Sequence, residues 1–161
     1  MAEINQIRYK GLRVPEGCSG WDAAEEWLFD QIIRQSDIFI SEEEVEQEIN
    51  MELAGFLQTM RYRAMAGDHE LEEVDLDEWK EDIRKEIIRD HQVEVILRVV
   101  IEQEKLTVSF EELEEAAVQL AKKEQTTLEM VRRFMGEDYA LLKKDTLYRK
   151  AKDFLIMSSR S

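Results

Sequence analysis

A chain of 161 residues is one domain, or one domain with a tail. Its 43% apolar residues suffice for a core, and its 37% charged residues give a heavily solvated surface. The net charge of −15 argues against nucleic acid and anionic membrane surfaces as partners, because phosphate recognition needs a basic face. Cys18, the single cysteine, leaves no internal disulfide and fits a reducing compartment. No run of 18 apolar residues occurs, and Met1-Ala-Glu-Ile-Asn leads into polar residues rather than a signal-peptide core. A cytoplasmic location is the expectation.

The first 20 residues read as irregular, with Gly11, Gly17, Gly20 and the single proline, Pro15, crowded together. From Trp21 onward the chain reads as all-α. Helices are expected at about 22–36, 41–66, 76–105, 110–123, 127–135 and 137–158. Five starts carry capping-box spacing: Asp22 with Glu25, Ser41 with Glu44, Asp75 with Glu78, Ser109 with Glu112 and Thr126 with Glu129. In each pair the cap side chain and the acidic residue can each satisfy a backbone N–H that the helix leaves without a partner.

The second helix carries Val45, Ile49, Leu53, Phe56, Leu57, Met60 and Ala64 on one stripe, with Glu42, Glu46, Asn50, Thr59 and Arg63 off it. The third begins with Trp79, Ile83 and Ile87 on one face. Then Val93, Val95, Ile96, Leu97, Val99, Val100 and Ile101 surround the axis, the pattern of a buried helix end. The β-branched content of 93–101 also suits a strand. Helix is favoured because no turn residue bounds the stretch upstream and Glu94 and Arg98 keep i,i+4 pairing. A helix near 30 residues is about 45 Å long, against a radius of gyration of about 15 Å for a compact chain of this size. An extended body with protruding helical arms follows.

No site for chemistry is legible. His69 and His91 lack ligand spacing to one another or to Cys18, and no phosphate-cradling loop or nucleophile elbow occurs. The acidic residues fall at helix caps and on polar faces. No catalytic residue, metal or cofactor is expected, and the chain does not read as an enzyme.

Residues 93–113, Val-Glu-Val-Ile-Leu-Arg-Val-Val-Ile-Glu-Gln-Glu-Lys-Leu-Thr-Val-Ser-Phe-Glu-Glu-Leu, join an apolar helix end, a short link and a new helix start. That order resembles the C-terminal domain of trigger factor, the ribosome-associated chaperone of bacteria. Leu147-Tyr-Arg-Lys-Ala-Lys-Asp-Phe-Leu155 is similar to the run that closes that domain. Ile38-Phe-Ile-Ser-Glu-Glu-Glu-Val-Glu-Gln-Glu-Ile49 resembles the start of its first arm, and Ile7-Arg-Tyr-Lys-Gly-Leu-Arg-Val-Pro15 its connecting strand. Residues 21–161 would then be the chaperone domain and 1–20 a remnant of the linker.

The resemblance implies an ATP-independent holdase that shields unfolded polypeptide clients with apolar surfaces of a helical crevice. The candidate client-binding residues are Phe56, Met60, Tyr62, Met65 and Leu71 near a tip at Gly67-Asp68, with Met130, Phe134, Met135, Ile156 and Met157 as a second set. Methionine suits such a role, being flexible and polarisable. The same stripes also read as packing, a small satellite core at the tip and the completed core of the last helix. The family's Gly-Phe-Arg-x-Gly-x-x-Pro ribosome-docking loop and its β-rich prolyl isomerase segment do not occur in these 161 residues. Neither docking by that loop nor isomerisation is therefore carried over. The alternative reading is a helical adaptor that docks one defined protein, or a second copy of itself as a homodimer.

Overall fold

The computed structural model describes residues 6–18, 20–67 and 75–160. Six helices follow one another: α1 (Trp21–Gln35), α2 (Glu42–Met65), α3 (Leu76–Gln103), α4 (Phe110–Lys123), α5 (Leu128–Met135) and α6 (Ala140–Arg160). Among the described residues there is no strand, only one antiparallel bridge in which Gln6 and Asp37 exchange both backbone hydrogen bonds at 2.8 Å. The fold is all-α. Residues 93–101 lie inside α3, so the apolar character of that stretch reflects burial and not strand formation.

Three of the five expected starts form as the spacing predicts. Ser109 and Glu112 make a reciprocal capping box at α4. Ser41 accepts from the Glu44 N–H, and Asp75 Oδ1 accepts from the N–H groups of Asp77 and Glu78. The other two are corrections. α1 already begins at Trp21 with Gly20 as its N-cap, so Asp22 sits within the first turn and caps nothing. At α5 the cap is Thr127, which accepts from the Met130 N–H, one residue later than the Thr126–Glu129 spacing indicates. Ser109→Ala should cost about 0.5–2 kcal/mol of stability, measurable by urea denaturation.

Two helix ends close without glycine. Leu106 N–H reaches back to the Ile101 carbonyl and Lys105 N–H to that of Glu102, with Lys105 at φ 53°. Thr126 and Gln125 repeat this on Ala121 and Lys122, with Gln125 at φ 54°. Both are Schellman closures carried by a side-chain-bearing residue in the left-handed region. α5 ends instead on Gly136 at φ 91° and ψ 156°, backbone that glycine alone adopts readily.

The chain divides into two compact units, one of residues 1–6 and 37–95 and one of 7–36 and 96–161. In the first, Val45, Ile49 and Ile87 form a small core, with Ile40, Ile83 and Ile88 packed against it. Its polar margin joins α2 to α3: Arg84 pairs with Glu42 at 3.4 Å and with Glu46, and His91 Nε2 lies 2.8 Å from Glu48.

In the second unit Leu113, Ala117, Ala121, Val131, Tyr139 and Leu142 make one cluster. The buried Tyr139 hydroxyl is satisfied by the Arg132 Nε–H at 2.9 Å. α1 packs on α6, burying Leu28, Phe29 and Ile32 on one helix and Ala151, Leu155 and Ile156 on the other. The segment 7–15 is stapled alongside. Arg8 N–H donates to Ser36 Oγ at 2.8 Å, and Val14 N–H to the Ser159 carbonyl at 3.1 Å.

Lys150 adds an electrostatic tie, donating to Glu112 at 3.0 Å and to the Thr107 carbonyl at 2.6 Å. The Lys150 hydrogen bond, then the Ser109 N–H, hold the exposed Glu112 carboxyl below the usual carboxylate range. A depressed folded-state pKa gives stability that is present above the unfolded value and is lost as pH falls through the folded one. Glu112→Gln should therefore narrow the gap in melting temperature between parent and variant as pH is lowered from 7 toward 3.

Candidate functional site

The apolar stripe of α2 changes its environment along the helix. Val45 and Ile49 are buried, Leu53, Phe56, Met60 and Ala64 are half-buried, and Leu57 is exposed. Tyr62 and Met65 in the last turn are 65% and 80% exposed, and Met51 is exposed on the flank. Met51, Tyr62 and Met65 lie on the side of α2 roughly opposite the stripe, and burial along the stripe itself follows what α3 offers. Ile87 and Ile83 seal the first turns of the stripe, and Trp79 stacks on Phe56 with ring centroids 4.8 Å apart. N-terminal to Trp79, the first turn of α3 presents Leu76, Asp77 and Glu78, all exposed. Among the described residues, burial along the stripe thus declines toward the end of α2.

Of the first candidate set, Phe56 and Met60 are half-buried on the stripe, whereas Tyr62 and Met65 are exposed on the opposite side of the helix, so the set is not one patch. Leu71 and the tip residues 68–74 lie outside the described residues. Met51 is exposed on the same side of α2 as Tyr62 but about 16 Å away along the axis, too far to be part of that patch. The sequence signal for it was an apolar residue on the polar flank of an otherwise well-sorted helix.

The second candidate set divides. Met130 and Phe134 lie one turn apart on α5, and both are exposed, Phe134 to 70%. Met135 instead packs against the Leu113–Tyr139 cluster, so it belongs to the core. Ile156 is 0% exposed and is corrected as a client contact: α6 turns it into the core and its neighbour Met157 outward. Met157 lies 16 residues beyond Leu141 on the same helix, about 24 Å along its axis, so the two cannot form one patch. Phe110 and Leu141 are exposed large apolar residues of the same unit. Phe110 lies against the buried Tyr139 with ring centroids 5.6 Å apart.

Two adjoining hollows of about 320 and 310 Å³ run between α4 and α6, sharing Ala116, Gln119, Thr146 and Arg149. Lys123, Asp145, Glu115 and Asp153 place charged groups in their walls, and none of the candidate residues lines them. Among the described residues, the exposed candidate residues lie on α2, α5 and α6.

Charge is partitioned between the units. Residues 1–6 and 37–95 carry a net −14 of the chain's −15, and the remainder carries −1. An acidic surround keeps open apolar surface soluble and repels other acidic chains. Among the described residues no group of three His, Cys, Asp or Glu side chains could hold a metal ion, and no helix is long and apolar enough to cross a membrane.

A family model described as bacterial trigger factor protein C-terminus matches residues 21–157. The structure also superimposes on a solved structure described as domains of trigger factor from Thermotoga maritima. That match has a TM-score of 0.68 and 18% identity, over 94% of this chain and 92% of the other. No curated protein matches.

Proposed function

We propose a polypeptide-holding function from one premise: the chain belongs to the bacterial trigger factor C-terminus family. A chaperone-type role comes with that family. The finer reading is an ATP-independent holdase for unfolded polypeptide segments, with the last turn of α2 as its principal client surface. The observation that supports it is the exposed apolar surface in the last turn of α2, where Tyr62 and Met65 stand open on the face turned away from the Phe56–Trp79 stack. Aromatic and methionine side chains give large apolar contact without a fixed shape requirement. Phe134 and Met130 on α5 offer a second, smaller face.

Holding by such contacts stabilises unfolded species by mass action and needs no chemical step. Burial, not charge, supplies the attraction. Binding of an electrically neutral unfolded client should change little between 50 and 500 mM salt, because apolar contact is not screened as surface charge is. The single Cys18, free and partly buried, suits a reducing cytoplasmic setting.

Breadth of binding separates a holdase from an adaptor. The chain should suppress light scattering from two unrelated chemically denatured proteins at near-stoichiometric ratios. Suppression of neither, together with tight 1:1 binding of one folded partner or a second copy, would replace the holdase reading with the adaptor one.

A further inference from the structure

A cleft of about 380 Å³ in the second unit lies against the stapled segment 9–13, and none of the exposed residues of α2 and α5 lines it. Its floor is apolar: Leu28 and Leu155 are buried and Phe154 is half-buried. Lys10 and Arg13 stand exposed at its margin. The one carboxylate that lines it, Glu104, is already engaged, accepting from the Tyr9 hydroxyl at 2.7 Å and lying 3.9 Å from Lys10 Nζ. Burial, and then the Glu104 carboxylate beside it, raise the Tyr9 phenol above its ordinary value, so it stays a donor at neutral pH. Arg13 has no ion pair among the described residues. A cationic margin over an apolar floor stands out in a chain of net charge −15.

We propose that this cleft captures the C-terminal residue of a polypeptide. Its carboxylate would lie on the Arg13 guanidinium beside Lys10, and an apolar side chain would rest on Leu28, Phe154 and Leu155. A guanidinium presents two parallel N–H groups to a carboxylate, which an internal peptide bond cannot use in the same way. The volume is near the lower end for small-molecule sites and suits one or two residues rather than an extended segment. Capture of a C-terminal carboxylate is a recurring mode of peptide recognition. The site shares no residue with the holding surface on α2.

The test uses the whole chain and acetyl-Ala-Ala-Leu as free acid and as C-terminal amide, titrated calorimetrically at low salt. The free acid should bind at least tenfold more tightly than the amide. Arg13→Gln, at an exposed position that leaves the melting temperature unchanged, should bring the free acid down to the affinity of the amide. Tyr62→Ser with Met65→Ser should leave free-acid binding intact, which separates this site from the holding surface. Equal binding of acid and amide, no saturable binding of the acid, or parental affinity in Arg13→Gln would each overturn the proposal.

Discussion

Leu97→Ala is expected to lower the free energy of unfolding by roughly 2–5 kcal/mol. Leu97 is 2% exposed in α3, between the fully buried Ile96 and Val100, so the truncation removes apolar contact and leaves a cavity that close-packed neighbours fill only in part. The loss would show as a lower urea midpoint at an unchanged m-value. A loss below about 1 kcal/mol would place the end of α3 outside any packed core.

The largest functional effect is expected from Tyr62→Ser combined with Met65→Ser. Each side chain buried against a client is worth roughly 1.5–3 kcal/mol, so the pair should weaken client affinity tenfold or more. Exposed polar substitutions usually move stability by no more than about 0.5 kcal/mol, so the fold should hold. Anisotropy of a labelled, permanently unfolded client checks the first expectation and a thermal melt the second. Met60 is the weaker choice of target, because its half-buried position mixes a packing loss into the result. A double variant that melts well below the parent would mark Tyr62 and Met65 as packed residues instead.

The helices were legible because their signals are local. The Ser109–Glu112 box and the 3.6-residue spacing of Val45, Ile49 and Phe56 depend only on nearby chain. Cap registers were less so. A second hydroxyl in Thr126-Thr127, and a glycine ahead of Trp21, shifted two starts by one or two residues. Family resemblance supplied what periodicity could not, the order of helices as one known domain type.

The candidate site was half legible. Periodicity states which face of α2 is apolar, but where burial stops depends on α3, which seals Val45 and Ile49 with Ile87 and Ile83 and reaches Phe56 with Trp79. Adjacent residues differ by about 100° around a helix, so Ile156 and Met157 had to separate, and only the packing of α1 on α6 decides which one is sealed. Met135 went to the core for the same kind of reason, since the α4–α6 cluster reaches it. The cleft at Lys10 and Arg13 had no sequence signature, because it is assembled from residues about 140 positions apart.

Contact between the last turn of α2 and unfolded clients is what a holdase of this kind requires. A photo-crosslinking amino acid at position 65, with a matched probe at exposed position 157, tests it directly against two unrelated denatured proteins. Adducts from position 65 are expected with both clients, diminished by excess unlabelled unfolded competitor. Adducts from position 157 alone, or none from position 65 under conditions where aggregation is suppressed, would contradict it.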